Sequence, residues 1–291
     1  MTVEPAAKPA GTRPPNPLRD PKRPRDWAKL YGSSLLSARQ NPSFADLETF
    51  CLFIGYSRSG ATLVGSMLNA HPEVLIAHEL DAVNLVRHRF TRSQLFSLLL
   101  RRDRTFGSMG RFWSGYSYEV PGQYQGIYKR LRVLGDKRAR STALLIARRP
   151  DLLDRIRRTV KVPLRVVHIT RNPFDNIVTE SRRHKLSLGQ GTAWYEQSCD
   201  AVAKVRSMLD PAELVDIHYE TFAASPADSL AELCRFIGVE PDPAYLAACA
   251  GLVWSSTNRT RDTVEWSPEE RAGVERLIDR FELLSPYSFD D

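Results

Sequence analysis

Two uninterrupted apolar runs organise the chain: Phe50–Ile54 (FCLFI) and Leu164–Thr170 (LRVVHIT). Runs of this kind, too short for helices and without polar alternation, belong to strands buried on both faces of a parallel sheet. Shorter strand patterns lie at Val74–Ala77, Leu131–Leu134 and Glu213–Tyr219. Helical periodicity fills the intervals, over about 62–70, 80–103, 141–159, 173–185, 191–208, 226–238, 243–250 and 267–281. His71-Pro72 stops the first of these helices, and Asn172-Pro173 supplies a cap and a first-turn proline for the fourth. Strands separated by helices predict an α/β fold: a single doubly wound parallel sheet flanked by helices, like that of P-loop nucleotide hydrolases. In such sheets ligands sit beyond the carboxyl ends of the strands. Residues 106–128, rich in glycine and aromatics, read as a long loop or lid.

The first 26 residues lack a hydrophobic period and are dense in proline and base, so they cannot bury enough surface to offset their ordering entropy. The expected division is a flexible basic, proline-rich arm over 1–45 and one folded domain over 46–291. The net charge of +7 favours an anionic partner. Acids are mixed with the bases after residue 40, and no basic stripe interleaved with aromatics marks a nucleic-acid face, so none is expected to bind. The cysteines Cys51, Cys199, Cys234 and Cys249 are scattered, which suggests neither a disulfide framework nor a zinc site. No run approaches the roughly 18 apolar residues of a membrane span, and no secretory signal is visible. These features predict a cytoplasmic protein.

The chemistry concentrates after the first strand. Gly55–Thr62 (GYSRSGAT) has the spacing of a phosphate-binding loop between a strand and a helix. Gly55 and Gly60 let the backbone wrap an anion, with Ser57, Ser59, Ala61 and Thr62 supplying amides and hydroxyls at the helix N-terminus. Nucleoside triphosphatases have a lysine where this chain has Ala61, so triphosphate hydrolysis is disfavoured. The positive charge stands instead at Arg58. Farther along, Arg171 ends the strand Leu164–Thr170 at a helix start, where a guanidinium makes a bidentate phosphate clamp. A structural ion pair with Asp175 is the competing role.

The run IGYSRSGATLVGSMLNAHPEV resembles the 5′-phosphosulfate loop of sulfotransferases that use 3′-phosphoadenosine 5′-phosphosulfate (PAPS), with Ala61 in place of the first threonine of the usual pair. The run VVHITRNPFDNIVTESRRH resembles the 3′-phosphate segment of that family, in which an arginine is followed eight residues later by a serine; here the pair is Arg171 and Thr179, with Ser181 close by. The motif style is closest to bacterial and tyrosylprotein sulfotransferases. The resemblance spans about residues 50–287, specific in these two segments and loose elsewhere. It implies PAPS as sulfuryl donor, no metal, and a sulfotransferase domain over 46–291. By residue-by-residue matching from Arg58 it assigns the general base to Glu79, with His78 beside it as the competing candidate. By the segment VLGDKRA it assigns Lys137 to the bridging oxygen of the phosphosulfate. Arg259, before the last helix, is the remaining candidate for the 3′-phosphate.

Each assignment has a plainer alternative: a first-turn acid for Glu79, a packing histidine for His78, an exposed surface lysine for Lys137. The rival functions are a P-loop small-molecule kinase and a non-catalytic nucleotide-binding scaffold. The acceptor, a small molecule offering a sugar, phenol or lipid hydroxyl (or an amine), is left open. Phe112, Trp113, Tyr116, Tyr118, Tyr124 and Tyr128 either line its pocket or form the lid's own core. The oligomeric state is open as well.

Overall fold

A computed structural model of the chain describes residues 24–40, 44–253 and 258–291. In chain order the elements are α1 (Pro24–Gln40), β1 (Thr49–Gly55), α2 (Ala61–Leu68), β2 (Val74–His78), α3 (Ala82–Arg87), α4 (Arg92–Ser108), β3 (Phe112–Trp113), β4 (Tyr116–Ser117), β5 (Val133–Lys137), α5 (Ala139–Arg148) and α6 (Asp151–Val160). They continue with β6 (Leu164–Thr170), α7 (Pro173–His184), α8 (Leu188–Arg206), β7 (Leu214–His218), α9 (Tyr219–Ala224), α10 (Pro226–Ile237), α11 (Pro243–Ala250) and α12 (Pro268–Arg280).

The main sheet runs β2-β5-β1-β6-β7, and every neighbouring pair in it is parallel. The two apolar runs pair along their length in the middle of the sheet, from Phe50 opposite Leu164 to Gly55 opposite Ile169. Every residue of β1, β2 and β5 is buried, because helices cover both faces. On one face the core gathers Phe50, Leu52, Phe96, Leu99 and Phe174. On the other it gathers Cys51, Phe53, Met67, Val167 and Ile237. Alternate residues of β1 thus feed opposite cores, as the period of two in a strand requires. The chain first builds outward from β1 to β2 and β5 on one side, then crosses to β6 and β7 on the other. This reversal opens a crevice above the carboxyl ends of the strands.

The doubly wound parallel fold agrees with the expectation. Three local readings do not. The helical stretch expected over 80–103 is divided into α3 and α4 by a turn at residues 88–91, where Thr91 caps the second helix. The helix expected over 141–159 is broken between Arg148 and Asp151, where Pro150 cannot carry an amide into the ladder. Residues 24–40, assigned to a flexible arm, form α1, whose Trp27 stacks on His88 at 3.8 Å. Its Ser34 is fully buried and accepts a hydrogen bond from Gln94 Nε2 at 2.9 Å. The arm's first 23 residues lie outside the described ones.

Candidate functional site

The loop after β1 enters α2 through Gly60, which has φ 95° and offers no side-chain cap to the helix. The first amides of α2 therefore remain open at the positive end of the helix, the arrangement that takes an anion. Gly60 is required twice over. A Cβ there would sit 2.3 Å from the ring of Tyr219, and the left-handed backbone disfavours any other residue. Arg58, in the middle of the loop, is also left-handed at φ 66°. Ser59 is spent on the loop itself, its hydroxyl donating to Tyr56 O at 3.0 Å.

The sheet delivers the remaining groups to this loop. Lys137 ends β5 beside His78, its register partner at the end of β2. Its Nζ donates to Thr62 Oγ1 at 2.8 Å and to Glu79 Oε1 at 3.0 Å. The side chain is only 5% exposed, against 34% for Glu79, so the surface-lysine alternative fails. Gly65 makes room for it: a Cβ on that residue would approach Lys137 Cγ to 3.0 Å. Burial works to raise the Glu79 carboxyl, but the charge and hydrogen bond of Lys137, with Arg138 and Arg102 behind them, outweigh it and hold the group below the usual glutamate range.

The backbone carrying Glu79 is held under strain. Glu79 and Asp81 have φ of 56° and 75°, each costing about 1–2 kcal/mol for a side-chain-bearing residue. Asp136, fully buried one residue before Lys137, pins this turn by accepting from Leu80 N at 2.9 Å and Ala82 N at 2.7 Å. Burial raises its carboxyl, while those amides and Arg138 pull the other way. One short strand end thus presents the lysine and fixes the turn that holds its carboxylate partner. Sequence reasoning quoted this aspartate within VLGDKRA without giving it a role.

His78 points elsewhere. It is 3% exposed, stacked on Phe106 at 4.1 Å and met edge-on by Trp113 at 4.7 Å. Its environment is the packing one. Beneath it a cavity of about 10 Å³, room for one water, is lined by Thr62, Ser66, Asn69, Arg111 and Lys137 among others. Arg111 closes that cavity through two hydrogen bonds to Asp103, which also accepts from Asn69 at 2.7 Å.

The 106–128 segment contains the β3–β4 hairpin and is tied down by Gln125, which donates to Ser66 O and Tyr118 O. Burial pushes the Tyr118 phenol up to about 12, with the nearby Arg58 opposing. Trp113 meets His78 edge-on at 4.7 Å, and Lys129 lies over the Tyr124 ring.

On the other side of β1, Arg171 follows β6. Its guanidinium lies over the Tyr219 ring at 5.5 Å and donates to Asn258 O at 2.6 Å. Its Nε is buried with no hydrogen-bond partner among the described residues. The expected alternative partner is taken: Asp175 binds Arg261 at 2.8 Å, with both side chains 3% exposed. Thr179 lies nearly two turns into the helix that Arg171 precedes, and its hydroxyl donates to Asp175 O at 2.8 Å. Ser181 is turned inward against Ser187 O. Arg259 is held by Asp262 at 2.8 Å and by the carbonyls of Asp290 and Asp291. In this conformation it is not directed at the Arg171 site. Tyr219, which in the sequence only ends the strand pattern Glu213–Tyr219, touches both the loop and Arg171. Only the return of β7 to the sheet reveals its position.

Among the described residues no cluster of three or more His, Cys, Asp or Glu side chains is placed to hold a metal ion. No described helix is long and apolar enough to cross a membrane.

Residues 52–243 match a family model described as the sulfotransferase family. No curated protein matches the chain significantly. Among solved structures it is similar to the sulfotransferase domain of the Synechococcus PCC 7002 olefin synthase, at 13% identity and a TM-score of 0.52, covering 83% of this chain and 97% of that one. It is also similar to the sulfotransferase domain of the curacin biosynthetic pathway, at 16% identity and a TM-score of 0.51, covering 83% and 99%. At these identities the structural likeness establishes the fold, and the family match carries the chemistry. The chain belongs to the sulfotransferase family, and its reaction is sulfuryl transfer.

Proposed function

We propose that this protein moves a sulfuryl group from PAPS to a hydroxyl of a small acceptor, with Glu79 as general base. The observation that carries the reading is the convergence of Lys137 on both Thr62 of the phosphate loop and Glu79. A lysine bridging a phosphate cradle and a carboxylate stands where a sulfuryl group must pass between donor and acceptor.

PAPS supplies the sulfuryl group and leaves as the adenosine bisphosphate. The open amides of α2, with Gly55, Ser57, Gly60, Ala61 and Thr62, would hold the 5′-phosphosulfate. The partnerless Nε of Arg171 supports its role on the 3′-phosphate. Thr179 has a secondary part there, and Arg259 would join only by leaving Asp262. Glu79 takes the acceptor proton as the new S–O bond forms, while Lys137 and Arg58 stabilise negative charge on the bridging oxygen as the old bond breaks. The Lys137–Glu79 contact implies a sequence of events. When Lys137 turns to the donor, Glu79 loses its strongest stabilising partner and becomes the better base. His78, enclosed by Phe106 and Trp113, shapes the acceptor side.

A sugar, phenol or lipid hydroxyl would suit the partly exposed Glu79 near Tyr118, and nucleic acid is not part of this reading. A cytoplasmic setting goes with it: Cys51, Cys199, Cys234 and Cys249 are all buried free thiols. Calorimetry with 3′,5′-adenosine bisphosphate and turnover of PAPS against a panel of acceptors test the reading together. Glu79→Ala is expected to bind the bisphosphate as the native protein does and to lose transfer. A preference for magnesium-ATP, or near-native turnover by that variant, would refute it.

A further inference from the structure

Helix α1 is the described element least absorbed by the sulfotransferase fold, lying before the family-matched residues 52–243. Its inner side is well used. Trp27 stacks on His88, Tyr31 meets Phe90 edge-on at 5.2 Å, and Ser33 and Ser34 accept from Arg101 and Gln94 of α4. The outer side is unusual. Leu36 is 61% exposed and Leu35 44%, while Tyr31, at the edge of this side where its ring meets Phe90, is 40% exposed. At 100° per residue, Arg25, Lys29, Gly32 and Arg39 fall on the same side as the two leucines. The only acid of the helix, Asp26, lies at the edge of that face. Through the Trp27–His88 contact, the α1 surface adjoins the exposed Arg87 and Arg89 of the α3–α4 turn.

An outward face that mixes leucines with bases, its one acid (Asp26) lying at the edge and paired with Arg25 at 4.0 Å, has the chemistry of a helix lying in the interfacial plane of an anionic bilayer. The alternatives match it less well. Phosphates of a nucleic acid would pair with the bases but give the leucines nothing to bury against. A second copy of the chain would bury the leucines, but a twofold contact sets the same patch against itself and would bring the bases of one copy against those of the other. The sequence running into α1 adds Arg13, Arg19, Lys22 and Arg23 against Asp20.

We propose that the outer face of α1 docks the protein reversibly onto an anionic lipid surface. Leu35 and Leu36 enter the headgroup–acyl boundary, and Arg25, Lys29 and Arg39 meet lipid phosphates. The docking face is separate from the sulfuryl-transfer crevice and does not depend on the donor or acceptor proposed above.

Sedimentation of the full-length protein with two kinds of vesicle tests this: phosphatidylcholine alone, and phosphatidylcholine with about one-third phosphatidylglycerol. Binding to the anionic vesicles is expected at least ~10-fold above the neutral ones, and largely lost at about 0.5 M salt. The double variant Leu35→Asp/Leu36→Asp and the charge variant Lys29→Glu/Arg39→Glu should each lose vesicle binding while keeping a native circular dichroism spectrum and thermal midpoint. The charge variant keeps the proposal testable even if aspartates unravel α1, since it leaves every apolar residue in place. Absence of binding, equal binding to both lipids, or undiminished binding by the charge variant would overturn the proposal. So would a concentration-dependent dimer abolished by the leucine variant in a protein that ignores vesicles, or retention on an oligonucleotide without vesicle binding.

Discussion

Replacing Lys137 by methionine removes the charge and keeps most of the side-chain volume, so it isolates what the lysine does for Glu79 and for the transferring group. At the observed 3.0 Å, the Coulomb attraction is about 1.4 kcal/mol at the permittivity of water and about 5.5 kcal/mol at an effective value of about 20. Lys137 is almost fully enclosed, but Glu79 is 34% exposed, so solvent screening brings the interaction toward the lower part of that range. Two separate consequences follow. Loss of a cation that acts only as charge develops should lower kcat by about 10²–10³-fold, as removal of one transition-state donor does elsewhere. Loss of the same cation from the free enzyme should leave the burial of Glu79 less opposed, so its carboxyl titrates higher. The acid limb of kcat/KM reports the free enzyme. A base must be deprotonated to work, so activity falls as pH drops through the pKa of Glu79. The native limb should therefore lie below the ordinary glutamate value of 4.5, and the limb of Lys137→Met above the native one. Rates measured across pH with PAPS and any competent acceptor read both effects. A lowered kcat with an unmoved acid limb would remove Glu79 from the role of base, and an unchanged kcat would remove Lys137 from the transition state.

Gly60→Ala should abolish tight bisphosphate binding and destabilise the fold by about 1–2 kcal/mol or more, because the new methyl meets Tyr219 and the φ of 95° disfavours it; calorimetry and denaturant unfolding measure the two effects. Asp175→Ala leaves the Arg261 guanidinium buried without its carboxylate, a loss of about 3–5 kcal/mol in urea unfolding; a change under about 1 kcal/mol would mean the pair is not the anchor it looks. Asp216 is held at about 2, against an ordinary 3.8: burial raises it, but His168 and Arg206 pull it down further. With the folded value depressed, its contribution is complete above 3.8 and is lost as pH falls through about 2. Asp216→Asn should flatten the acid arm of the stability–pH curve in that window, and an unaltered curve would show that the His168–Asp216–Arg206 cluster does not tune acid stability.

Much of this architecture is legible in local pattern. The apolar runs of β1 and β6, the glycines flanking Arg58, and Asn172-Pro173 ahead of α7 each act within a few residues, so periodicity and backbone preference reveal them. The side of the sheet that would bear the chemistry also followed, since parallel strands joined by helices place their ends together. Short-range pattern failed where a partner is distant. The exposed leucines of α1 concealed a helix whose packing side rests on α4, and Pro150 divided what looked like one helix.

The sequence alone determined the central strands, the phosphate-binding turn and the identities of the charged candidates, because those depend on neighbouring residues. Tertiary structure decided how each charge is used. It placed Lys137 between Thr62 and Glu79 and enclosed His78 in aromatic rings. It also gave Asp175 to Arg261, leaving Arg171 with an open nitrogen, and turned Arg259 toward the chain terminus. Electrostatic interaction depends on distance and burial, and separations of 58 positions (Glu79 to Lys137) or 86 (Asp175 to Arg261) are bridged only when the sheet brings the strand ends together.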